Sequence, residues 1–197
     1  FSILLHNMKV KNTPYESQVM EKVYEIIKAM EEKNIHVKCS FGIFSCKKEE
    51  DSIIITDSKK SYSLSFPKIK HQNSLISSAD FFNKEDYVGA FVISVNSSIF
   101  KDDEYMKILE SILLTRIAEA GAECLEQYIN KNYWKINIRP AIGYSSLPDH
   151  SAKEIIFNLI DGEKTGAKLT SSYAMTPLSS VCGIYISNPK SFYLNSK

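Results

Sequence analysis

The chain has 197 residues, 44% of them hydrophobic and 11% aromatic, which is ample for one packed core. Its 24 Lys and Arg against 23 Asp and Glu leave a formal charge of +1, so no global field attracts nucleic acid or an anionic membrane, and any anion site is local. No apolar run reaches the ~20 residues of a membrane span. No secretory signal is expected, and four scattered cysteines without a CxxC pair read as reduced thiols of a cytoplasmic protein rather than as zinc ligands.

In chain order, "FSILLH" is apolar but short, and residues 1–12 read as an edge strand or the remnant of a longer N-terminal part. Residues 13–34 predict a helix with Thr13 as N-cap, Pro14 at its first position and Glu16 completing a capping box. Val19, Val23, Ile26, Ile27 and Met30 form its apolar face. "VKCSFGIFSCK", "SIIITD" and "SYSLSF" predict three strands of a meander, the last ending at Pro67. Residues 67–79 are polar and irregular, "SSADFF" suggests a short helical turn, and "DYVGAFVISV" is the clearest strand. Residues 102–133 predict the longest helix, with Met106, Leu109, Leu113, Ile117, Ala120, Cys124 and Tyr128 on one stripe. Ser151 and Glu154 suggest a capping box before "IIFNLI", and "KLTSSYAMTP" and "SVCGIYIS" suggest a closing hairpin. Mixed order without βαβ alternation favours an α+β fold with a twisted antiparallel sheet flanked by helices, as one domain over residues 1–197.

Three stretches carry chemistry. "DGEKTG" has the wrong order for a phosphate loop and follows a helix, so it reads as a turn. The glycine-rich dinucleotide pattern, the serine-hydrolase elbow and the HExxH zinc motif are all absent. In "RIAEAGAECLE" a patch of small residues around Gly121 suits close approach by a backbone or a ligand, because glycine inside a helix costs about 1 kcal/mol relative to alanine. Glu119 and Glu123 flank that patch, either as solvated glutamates or as carboxylates beside a cationic or polyhydroxylated ligand.

The third is "RPAIGYSSLPDH". Pro140 and Pro148 hold the residues before them extended, and Gly143 permits a sharp bend. Arg139 offers a planar fork of donors for a carboxylate or phosphate, and Tyr144 a ring face. A stiff, extended segment with exposed amides can hydrogen-bond an adenine edge; the alternative is a crossover loop with a structural ion pair. His150 is either a titrating contact or a surface residue at a helix start, and Tyr193 stands alone near the terminus.

These residues resemble the activation (reactivation) domain of cobalamin-dependent methionine synthase. The likeness lies in Arg139-Pro-Ala-x-Gly-Tyr144, in Pro148-Asp-His150 before a helix, and in "TGAKLTSSYAMTP". It continues in the Gly183-x-Tyr185 strand and in a tyrosine shortly after a Pro-x-Ser turn. Upstream, "RIAEAGAE", "ADFFNKEDYVGAF" and "VKCSFGIF" match the same family, so the resemblance spans about residues 13–194. It implies S-adenosylmethionine in a shallow groove, contacted by Glu119, Arg139, Ala141, Gly143, Tyr144 and Tyr193, with His150 a contact to a partner or to cobalamin. It implies no metal ligands and no catalytic acid or base in the chain, which would be a component of the methyltransferase without a complete active site of its own. Cobalamin would come on a partner methionine synthase chain and electrons from flavodoxin or a similar reductase; neither nucleic acid nor membrane is expected as a partner. Compared with longer family members, the loop before Arg139 is short, and the segments before Thr13 and after Tyr193 are reduced. No Asp-x-His-x-x-Gly cobalamin motif is present either, so the chain reads as a stand-alone activation protein acting in trans. The other reading is a non-catalytic module that docks on a cobalamin-binding protein and regulates it.

Overall fold

The computed structural model describes residues 2–58 and 60–194. Helices α1 (Ser2–Asn7) and α2 (Glu16–Glu32) precede a meander of β1 (Lys38–Glu49), β2 (Ser52–Thr56) and β3 (Ser61–Ser65). A small hairpin, β4 (Lys68–His71) and β5 (Ser74–Ser77), leads through a 3-10 turn into β6 (Glu85–Ser94) and the long helix α3 (Glu104–Asn132). Then come α4 (Ala152–Ile160), the short pair β7 (Lys168–Leu169) and β8 (Met175–Thr176), and β9 (Ser180–Tyr185). The main sheet has five strands in the order β3-β2-β1-β6-β9, and each adjacent pair is antiparallel. The fold is α+β, as expected.

Alternation along the central strands sends apolar side chains to both faces. Val88, Ala90 and Val92 of β6 join Cys182 and Ile184 of β9 and α4 in one core. Phe91 and Ile93 join Val181, Tyr185 and the three helices α1–α3 in the other. Burial on both faces is what a central strand's continuous apolar run encodes. The outer strand β3 alternates instead, with Leu64 buried and its serines exposed.

Several local expectations are corrected. Residues 2–7 are a helix, not a strand or strand remnant, and Leu4 and Leu5 are buried beside α3. Six residues with paired apolar neighbours fit one helical face as well as a strand. No capping box joins Thr13 and Glu16: the Glu16 carboxylate accepts from the Asn12 N–H at 2.6 Å, and α2 starts later, after Tyr15. At α4 the cap is equally displaced, because Asp149 accepts from both the Ser151 N–H and its hydroxyl. The polar run 67–79 contains the β4–β5 hairpin, whose turn residue Gln72 has φ +53. The closing hairpin is not formed either: β7 pairs with β8, whereas β9 pairs with β6, far back in the chain.

The stripe on α3 drifts. Met106, Leu109 and Leu113 are buried, but further along the inward residues are Ala118, Ala122, Leu125 and Ile129, with Ala120, Cys124 and Tyr128 exposed. Packing selects the neighbouring column, whose Ala118 and Ala122 let the helix lie close to the sheet. Gly121 shows this, since a Cβ there would sit 2.9 Å from Cγ1 of Val37. The small patch therefore serves helix–sheet contact.

Two expectations for solution behaviour arise here. Cys46 and Cys182 are buried and Cys39 and Cys124 exposed. Burial pushes the Cys46 thiol up to about 12, and the Cys182 thiol is likewise raised by burial. A thiolate-selective alkylating reagent should modify Cys39 and Cys124 in the native protein and reach Cys46 and Cys182 only after denaturation, as peptide mass spectrometry would show.

Asp80 in the 3-10 turn accepts from Lys48 Nζ at 2.8 Å and from the Ser77 N–H at 3.0 Å. The Lys48 hydrogen bond, reinforced by the Ser77 amide and opposed by burial, holds its carboxyl below the usual 3.8. With the folded value below the unfolded one, its contribution is present above pH 3.8 and is lost as pH falls through the folded value. Asp80→Asn should flatten the acid limb of a melting-temperature profile modestly, because the side chain is partly exposed.

Candidate functional site

Residues 137–142 run antiparallel to β9 as an irregular extra strand. Asn137 and Ile138 N–H donate to the Ile186 carbonyl, Ile186 N–H to Ile138, Ile184 N–H to Pro140 at 3.0 Å, and Ile142 N–H to Cys182. In a strand, one residue's N–H and C=O point to the same side. Ile138 thus spends both groups, Pro140 its carbonyl and Ile142 its N–H on the β9 side, while the N–H and C=O of Arg139 and Ala141 face the free edge. Tyr193 covers one of them: its hydroxyl accepts from the Arg139 N–H at 3.0 Å.

The same alternation places the side chains. Ile138 and Ile142 enter the core on the α4 side, so Arg139 and Ala141 turn towards α3. There Arg139 Nε donates to Glu126 Oε2 at 3.0 Å, and the guanidinium lies 5.8 Å from the Phe91 ring centroid. After Ile142 the chain bends. Gly143 has φ +99, its N–H bonds the Leu147 carbonyl at 2.8 Å, and a Cβ there would meet the His150 ring at 3.0 Å. Only glycine takes that conformation without strain. The Ser146 hydroxyl then donates to the Leu194 carbonyl, tying the bend to the returning terminus.

The result is an open groove of about 410 Å³, within the ~300–1,000 Å³ usual for small-molecule sites. Glu119, Arg139, Ala141, Tyr144, Ser146 and Tyr193 all line it. Residues distant in sequence thus converge: Glu119 from α3, the 139–144 segment, and Tyr193 from the tail. Gly143 shapes the bend but does not line the groove, and Glu123 is exposed outside it. Tyr144 and Tyr193 are 68% and 55% exposed, so both rings are available to a ligand.

Two concavities of about 440 and 470 Å³ lie elsewhere. Ion pairs, Lys47–Glu85 and Lys164–Asp161, wall them, and neither gathers the motif residues.

His150 is exposed at the far side of the bend. Lys153 Nζ lies 2.7 Å from its Nδ1 and donates to the Tyr173 carbonyl at 3.0 Å. An ammonium has no acceptor, so Nδ1 accepts and Nε2 points elsewhere. Burial lowers the Lys153 pKa. Glu126 and Lys153 escaped the sequence reading. Glu126 carries a faint signal, seven residues and so about two turns after Glu119 on the same helix face; Lys153 carries none.

The geometry defines a class: an α+β protein with a small-molecule groove built on an extra edge strand beside a long helix. The chain belongs to the family of the vitamin B12 dependent methionine synthase activation domain, whose profile matches residues 4–196. Among solved structures it is similar to the MetH reactivation domain bound to AdoHcy, with 27% identity and a TM-score of 0.80 over 93% of this chain and 70% of that one.

Proposed function

We propose that the groove binds S-adenosylmethionine and that the domain presents it to cobalamin on a partner protein for reductive reactivation. The observation that carries this is the convergence of Arg139, the free edge of Ala141 and Glu119 on one groove, in a family relative of a domain bound to AdoHcy. AdoHcy is what S-adenosylmethionine becomes once its methyl group has left.

Each part of the ligand has a counterpart. The Arg139 guanidinium suits the methionyl carboxylate. The outward N–H and C=O of Ala141 suit the donor and acceptor edge of adenine, with Tyr144 and Tyr193 offering ring faces. Glu119 suits the positive half of the ligand, and Gly143 sets the bend that carries Tyr144. His150, exposed on the outer face, suits a contact to the partner or to its cobalamin.

The chemistry balances without a protein acid or base. Flavodoxin or a similar reductase would supply the electron that makes the partner's cobalamin nucleophilic. A Co–C bond to the sulfonium methyl would then form as the C–S bond breaks, with S-adenosylhomocysteine as the leaving group. The protein's share is positioning. The working compartment proposed is the cytoplasm.

The test is a reconstitution with cobalamin-loaded partner, reductant and S-adenosylmethionine carrying a labelled methyl. Label appearing in methylcobalamin only when this protein is present supports the proposal. Complex formation without transfer would replace it with the docking-and-regulation reading.

A further inference from the structure

We propose that Glu126 is a positioning residue for Arg139, holding the guanidinium so that its terminal NH₂ groups face the groove and meet the ligand's carboxylate. The inference rests on the reading of the groove as an S-adenosylmethionine site and adds a residue that does not itself line it.

The geometry is specific. Of the five guanidinium donors, Glu126 takes the Nε–H, the one nearest the stem, at 3.0 Å. A bond there sets the roll of the planar group and leaves the two NH₂ groups as the remaining donors. The Phe91 ring, 5.8 Å away, limits the plane from another side. The Tyr193 hydroxyl holds the Arg139 main chain through its N–H. The residue is thus anchored at both ends.

The arginine side chain is only 15% exposed and Glu126 29%, so the pair is shielded from solvent more than Lys48–Asp80, at 27% and 46%. An unheld arginine would lose rotamer freedom on binding a carboxylate; one already held does not, and affinity gains accordingly. Glu126 and Glu119 lie about two turns apart on α3, so one helix both contributes to the groove and orients the cation across from it.

The test compares S-adenosylmethionine, S-adenosylhomocysteine and 5′-methylthioadenosine, which lacks the amino-acid carboxylate, by calorimetry on the folded chain. Glu126→Asp keeps the charge but shortens the reach by one methylene. It should weaken both carboxylate ligands about tenfold and leave methylthioadenosine unchanged. Glu126→Gln keeps an oxygen for the Nε–H and should stay within about threefold of wild type for all three. Glu126→Ala should behave as Glu126→Asp, so the test stays open if one variant does not fold.

Unchanged S-adenosylmethionine affinity in Glu126→Asp and Glu126→Ala overturns the proposal. Equal weakening of methylthioadenosine also overturns it, by marking a general effect on the groove. Arg139→Ala separates the two levels. If it fails to weaken the carboxylate ligands selectively, the placement of the ligand falls; if it does so and the Glu126 variants do not, only the positioning role falls.

Discussion

Gly183→Ala should destabilise the protein by about 3 kcal/mol, the upper end of the range for overpacking a core. At ~2–4 °C per kcal/mol for a chain of this size, that lowers the melting temperature by about 6–12 °C. The reason is where the new methyl would sit. A Cβ on Gly183 would clash with the Pro140 carbonyl oxygen and lie 2.9 Å from the Phe91 ring. Neither neighbour can yield freely. The carbonyl is backbone and already accepts from the Ile184 N–H, and Phe91 is fully buried. The clash falls between β9 and the 137–142 strand, at the bridge between Ala141 and Gly183. The variant should therefore lose ligand binding even at temperatures where it remains folded. Differential scanning calorimetry together with a ligand titration at low temperature checks both. A normal melting temperature with normal binding would show that the extra strand does not depend on this close approach.

Arg139→Ala should weaken S-adenosylmethionine at least tenfold, corresponding to about 1.5–3 kcal/mol for a charge-assisted contact. The structure adds a second effect. The guanidinium also serves Glu126 and covers Phe91, so truncation should lower stability by about 1–2 kcal/mol, leaving a half-buried carboxylate short of a partner. Arg139→Lys should recover part of the stability but little of the affinity, because a single ammonium cannot reproduce the fork. Calorimetric titration beside thermal melts separates the two effects. Full affinity in Arg139→Ala would move the ligand's carboxylate to another part of the groove.

Local pattern was enough to place the main elements. β1, β2, β3, β6 and α3 are long or strongly periodic, and their apolar spacing encodes the element type, although on α3 it gives the buried face only as far as Leu113. The resemblance located the 139–144 segment for the same kind of reason: prolines, a glycine and an arginine at short spacing restrict the backbone wherever they occur. Features set by contact between distant segments were not legible. The Thr13–Glu16 and Ser151–Glu154 boxes satisfy the spacing rule, yet Asn12 and Asp149 supply the competing hydrogen bonds that win. β9 left its predicted hairpin because the β6 edge buries Val181, Cys182 and Ile184 on both faces, whereas a two-stranded pairing with β8 would not.

Fold class, the central strands and the candidate ligand segment were thus determined by the sequence itself, through periodicity and backbone restriction that act within a few residues. The resemblance grouped Glu119, Arg139 and Tyr193, which no local pattern could do, and tertiary structure alone decided that Gly183 must lack a side chain. It alone decided that Arg139 is gripped by Glu126. Those outcomes depend on which strand edge the 137–142 segment meets and how closely α3 approaches it, and no pattern within one segment carries that distance.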